Sequence, residues 1–224
     1  MSLVLGPIHY WMYAKIRLAK ARERAIFLAF YERYGREAEE ASGKSLAEYD
    51  GWLRDDRPME ARVGDSPIHA WLQGQIDQVE RSEAELVASF LRRFEEEAQE
   101  ISQEAARGHG RAAAEKALAE NDSGGRSARG LFELLRGQLL DGMPCDHATR
   151  VAEMGPDRVV NLHHTCLHFR NWDAVQVPLE AMCRILHAWI EGFCQAYHSG
   201  IEYRQTKTLA QGDPLCEEIF QGKA

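Results

Sequence analysis

Apolar residues recur along the first hundred positions at spacings of three and four, and they do so twice in the same order. Positions 8, 11, 12, 16, 19, 26, 27, 30 and 34 are apolar, as are 68, 71, 72, 76, 79, 86, 87, 90 and 94, sixty residues on. Such spacing gathers the apolar side chains on one helical face. Gly6-Pro7-Ile8-His9-Tyr10-Trp11-Met12 and Ser66-Pro67-Ile68-His69-Ala70-Trp71-Leu72 open the copies alike, with Pro at the first helical position. The pattern predicts helices over residues 7–40 and 67–107, each about 50 Å long at roughly 1.5 Å per residue. Identity at His and Trp in register favours a duplication over convergence. It also predicts that Trp11 and Trp71 occupy equivalent buried positions. At the third helical position His9 and His69 sit in the positive end of the helix dipole, which favours a neutral ring that caps or accepts a hydrogen bond.

Residues 45–53 read as a short helix and 54–58 as a loop. Gly108-His109-Gly110 reads as a break before an alanine-rich helix over 111–120. Asn121-Asp122-Ser123-Gly124-Gly125 is the most flexible composition in the chain, and it divides a helical region, 1–122, from a second domain, 123–224. Gly124-Gly125-Arg126-Ser127 resembles an anion cradle but lacks the preceding strand and the Gly-Lys-Ser/Thr of a P-loop. A further amphipathic helix is expected over 128–140. Then the period changes: 159–166 is β-branched with partial alternation, Pro178 opens a helix that Ser199-Gly200 closes, and 201–208 alternates like an antiparallel strand. Gly212-Asp213-Pro214 turns the chain so that 215–220 pairs back. The fold class is α+β: a long-helix N-terminal region with an internal repeat, docked on a C-terminal domain with a small antiparallel sheet and a central helix.

The net charge of −8 disfavours nucleic acid or an anionic membrane as partner. No apolar run approaches the roughly 18–20 residues of a membrane span, and the N-terminus lacks the apolar core of a signal peptide. An odd count of five cysteines fits a reducing cytoplasm and five free thiols.

Candidate chemistry concentrates after residue 158, where four of the cysteines and five of the nine histidines fall. If the strand runs on through 162–169, His164, Cys166 and His168 share one face. On the following helix Cys183, His187, Cys194 and His198 form one stripe, a possible zinc or iron ligand set, although no Cys-x2–4-Cys pair accompanies it. No cofactor is otherwise expected. Cys216 follows Gly212 and Asp213, where turn amides are placed to support a nucleophilic thiol. Arg204 suits a substrate carboxylate.

Thr165-Cys166, Cys194, and the run Arg204 to Phe220 containing Thr208-Leu209-Ala210-Gln211-Gly212-Asp213-Pro214-Leu215-Cys216 resemble the L-2-amino-thiazoline-4-carboxylic acid hydrolase family over residues 130–220. The resemblance implies a small-molecule pocket and hydrolytic opening of a cyclic C–N bond. Cys216 or Cys166 would attack, His164 or His187 would move protons, and Arg204, Cys194, Gly212 and Asp213 would hold the substrate. His198 stands where the family pattern has an acid, and Phe220 follows Cys216 by four positions where the family has two. Sensor domains of the vinyl-reductase type end in a similar strand, which keeps open a non-catalytic module for a small ligand, metal or tetrapyrrole. A third reading is a helical dimerisation scaffold, with a homodimer as the expected assembly.

Overall fold

The computed structural model describes residues 5–120 and 126–223. The joint at 121–125, and with it the expected domain boundary and both glycines of the anion cradle, lies outside the described residues. The chain is α+β. The helical region comprises α1 (Pro7–Tyr34), α2 (Arg36–Ser42), α3 (Leu46–Arg54), α4 (Met59–Val63) and α5 (Ile68–Glu120). Then follow α6 (Ala128–Gln138), β1 (Thr149–Met154), β2 (Arg158–His163), α7 (Phe169–Asp173), α8 (Leu179–Tyr197), β3 (Ile201–Lys207) and β4 (Cys216–Gly222). Among the described residues no helix is long and apolar enough to cross a membrane.

The two repeat copies run side by side and in register. Phe30 stacks on Phe90 at 3.9 Å, Tyr34 on Phe94 at 4.2 Å, and Arg33 pairs with Glu97 while Arg93 pairs with Glu37. Parallel helices need a return path, and α2 to α4 supply it. The copies also break at the same place. Gly35, between α1 and α2, has φ 58° and ψ −129°, and Glu95, inside α5, has φ 51° and ψ −128°. Both long helices were expected to run through this point: Gly35 reads as an isolated glycine within a helical pattern, and residue type gives no sign of a break at Glu95.

The expected break at Gly108–Gly110 is absent: helix continues to Glu120. Gly110 instead marks a close crossing. A Cβ there would collide with the Trp189 carbonyl, and a Cβ on Gly192 would collide with that of Arg107, so these glycines let α5 and α8 meet backbone to backbone. The core therefore runs across the expected domain boundary, with Phe27, Phe30 and Phe90 in one cluster with Leu131, Trp189 and Phe220. A second cluster, around Met12, Ile16, Leu72 and Ile76, closes the other end of the seam.

Two equivalent glutamates are buried in that seam. Glu83 takes a bidentate bond from Arg22 at 2.7 and 2.6 Å, while Glu23 is held by Lys20, Lys44 and the Tyr49 hydroxyl. Trp71 packs on Tyr13, but Trp11 is 38% exposed and donates to the Gly137 carbonyl, so the tryptophans are not equivalent. The His9 ring caps its helix by accepting from the Gly6 amide at 3.0 Å.

The four strands form an antiparallel sheet in the order β1-β2-β4-β3, with α8 across one face. Strand β1 and helix α7 were not anticipated. Strand β2 ends at His163, six residues short of the run that would align His164, Cys166 and His168. His168 instead stands before α7, stacked on Trp172 and bonded to buried Glu80 at 2.8 Å, which ties that corner to α5.

Candidate functional site

The register of the sheet decides which side chains face α8. His163 lies opposite Cys216, Asn161 opposite Glu218, and Val159 opposite Phe220 on the two central strands. On the edge, Tyr203 pairs with Phe220 and Gln205 with Glu218. Phe220 is fully buried, so this set forms the inner face. Glu218 is the centre of its polar part. One carboxylate oxygen accepts from His163 at 2.9 Å and from Asn161 at 3.0 Å; the other accepts from the Tyr203 hydroxyl at 3.1 Å. Tyr203 in turn meets His187 Nδ1 on α8, and Asp141 lies 3.8 Å from the far nitrogen of His163.

Burial disfavours charge throughout this chain, and the pairing decides who keeps it. Against that burial, the Glu218 hydrogen bond and the two nearby carboxylates raise the pKa of His163, which is an imidazolium at neutral pH. Burial would raise Glu218, but the His163 bond and charge outweigh it and hold the carboxyl below its usual range. Burial dominates at the ends: it lowers His187, which stays neutral, and raises Asp141.

Two cavities flank this network and share the walls Leu139, Asp141, Leu167 and Glu218. The smaller, about 50 Å³, has room for only a few waters and is lined by Cys166, Cys183, Cys216 and His187. The larger, about 260 Å³, lies near the small end of ligand pockets, which run about 300–1,000 Å³. It opens between α1, α6 and the sheet, and brings Lys15 and Arg136 opposite Asp141 and Glu218.

The structure thus gathers Cys166, Cys216 and His187 from the expected site, with Cys183 beside them. The thiols are not primed as nucleophiles. Burial raises all three, Cys183 to about 12, even though Cys216 Sγ accepts from the Leu209 amide at 3.3 Å. Asp213 and Gly212 shape that turn instead of touching a cavity: Asp213 accepts from the Thr208 amide at 2.8 Å, and Gly212 takes φ 89°. Arg204 projects from the outer face, exposed and paired with Glu202. His164 is exposed and lines neither cavity. The Cys/His stripe divides, with Cys194 in the core and His198 exposed beyond the helix end, bonded to the Gly200 amide. Among the described residues no group of three or more His, Cys, Asp or Glu is placed to hold a metal ion. All five cysteines are free.

Comparison with family models, curated proteins and solved structures finds no match.

The residues not anticipated carry most of the site: Lys15, Arg136, Asp141, Asn161, His163 and Glu218. A signal existed for two of them. Glu218 falls two residues from both Cys216 and Phe220 on an alternating strand, an acid on an inward face. Lys15 interrupts the apolar stripe of α1, one turn after Trp11. His163 alternates with His164 at the end of β2, and its own face, not that of His164, turns inward with Asn161.

Proposed function

We propose that this protein binds a small carboxylated molecule in the larger cavity and moves protons on it at the wall formed by Asp141 and Glu218, which His163 backs from the smaller cavity. The observation that carries the reading is the juxtaposition across one cavity of two cations, Lys15 and Arg136, with a buried acid–base network. Arg136, exposed at the rim and held over the Phe132 ring, offers the fork that a carboxylate fits. The protonated His163 is a proton donor already oriented by Glu218, and neutral His187 at the far end is an acceptor. The resemblance to the L-2-amino-thiazoline-4-carboxylic acid hydrolase family favours opening of a C–N bond as the reaction. In that case the proton for the leaving nitrogen comes from His163 through Glu218 at the cavity wall, not from a raised-pKa thiol.

Titration calorimetry with small cyclic amino carboxylates and their neutral amides tests this. Carboxylates should bind and amides should not, with Arg136→Met weakening carboxylate binding at least tenfold at unchanged thermal midpoint. Equal binding of acid and amide, or no binding of either, overturns it.

A further inference from the structure

We propose that Lys15 is a covalent attachment point: its amine condenses with the keto carbon of a 2-oxo acid whose carboxylate lies against Arg136. This rests on the carboxylate reading above and narrows it to a substrate class. The chain has six lysines. Lys20 and Lys44 pair with Glu23, Lys116 with Glu120, Lys207 with Glu217, and Lys223 donates to the Ser199 carbonyl. Lys15 alone, among the described residues, has neither a hydrogen bond nor an ion pair. It is also 5% exposed, its nitrogen 3.8 Å from the centre of the Trp11 ring, in the wall of the larger cavity. A lysine kept for its charge would sit against a carboxylate; one kept dry and unpaired beside a cavity is the arrangement of an amine nucleophile.

The groups that face it are Asp141 and Arg136. Burial lowers Lys15 to about 8 against the pull of Asp141 and with the push of Arg136, so a neutral fraction is present near pH 7. Burial likewise raises Asp141, whose carboxyl lines the same cavity and is placed to relay a proton. The balance is simple. The amine lone pair forms the N–C bond as the carbonyl pair moves to oxygen, and one amine proton passes to that oxygen, giving a carbinolamine. Asp141 relays the second amine hydrogen to the hydroxyl, which leaves as water as C=N forms. No other reactant is consumed.

The full chain, incubated with pyruvate or glyoxylate and then reduced with borohydride, should carry one adduct, mapped by peptide mass spectrometry to Lys15. Labelling there should be at least tenfold faster than at any other lysine. Acetaldehyde, lacking a carboxylate, should show no such preference, and Arg136→Met should slow Lys15 labelling by both acids at least tenfold. Labelling spread evenly over the lysines, or sparing Lys15, overturns the proposal, and mapping on the unsubstituted chain needs no variant to fold. Should carboxylates bind in an Arg136-dependent manner while Lys15 stays unlabelled, the imine falls and the binding reading stands. Loss of both removes both.

Discussion

Across the seam between α1 and α5 the two repeat copies meet equivalent residue to equivalent residue, down to the reciprocal pairs Arg33–Glu97 and Arg93–Glu37. Away from the seam they part. The first copy turns Trp11 and Lys15 toward the cavity, where the second has Trp71 against Tyr13 and Gln75. The second copy runs on past its kink to carry the crossing with α8, where the first stops and lets α2 to α4 turn the chain back. Packing constrains a seam from both sides at once, so duplicated residues persist there. A flank answers only to its new neighbour, so it is free to acquire a site.

The comparison breaks most severely at the paired glutamates. Glu83→Ala leaves the Arg22 guanidinium buried without its bidentate partner and should cost about 3–5 kcal/mol in chemical denaturation. Glu23→Ala should cost less, because the charge it leaves is shared by two flexible lysines, of which Lys44 is more exposed than Arg22 and can turn toward water. An equal loss at both would show the two positions to be energetically the same.

Lys15→Gln, which writes the second copy's residue into the first, sharpens the contrast between stability and function. Removing an unpaired buried ammonium should raise stability at pH 7 by about 2–3 kcal/mol while abolishing borohydride-trapped labelling at this site. The sign follows from the lowered pKa. Below about pH 8 folded and unfolded chains both hold the proton, and the folded state bears the whole burial penalty. Between about 8 and the ordinary 10.5 the folded chain sheds the proton first, so wild-type stability rises with pH and the variant's advantage closes. Denaturation midpoints across pH 7–10 read this directly; a gap that does not vary with pH removes the buried-charge account.

The smallest effect is at the matched breaks. Glu95 holds a conformation that its equivalent, Gly35, adopts freely, so Glu95→Gly should stabilise by about 1 kcal/mol and Gly35→Ala should destabilise by at least as much. Opposite signs in a thermal melt confirm that the break belongs to both copies.

How far these features were legible differs by their physical origin. Helix faces, the β3 alternation and the Ser45 and Ser127 starts are local, and residue spacing carries them. The kink at Glu95 runs against the local preference of its residue type, and Gly110 looks like a break until α8 lies against it. The site suffered most from one register choice. With β2 drawn past His163, Cys166 and His164 mark the face of interest, whereas the inward face is that of His163 and Asn161, and Cys166 and Cys216 line the lesser cavity.

The aromatic and ionic pairs that cross from one repeat copy to the other join residues sixty or so apart. The first such contact must close a loop of about that length, a cost that grows only as the logarithm of loop size. Once Phe30 meets Phe90, each neighbouring pair is already within a turn of its partner, so the seam can zip in both directions from one encounter. Slippage by a turn would draw Glu83 off Arg22 and leave two buried charges unmatched. The buried Arg22–Glu83 pair thus works as a ratchet on alignment, admitting one register and letting the others fall apart before the sheet arrives to cover them.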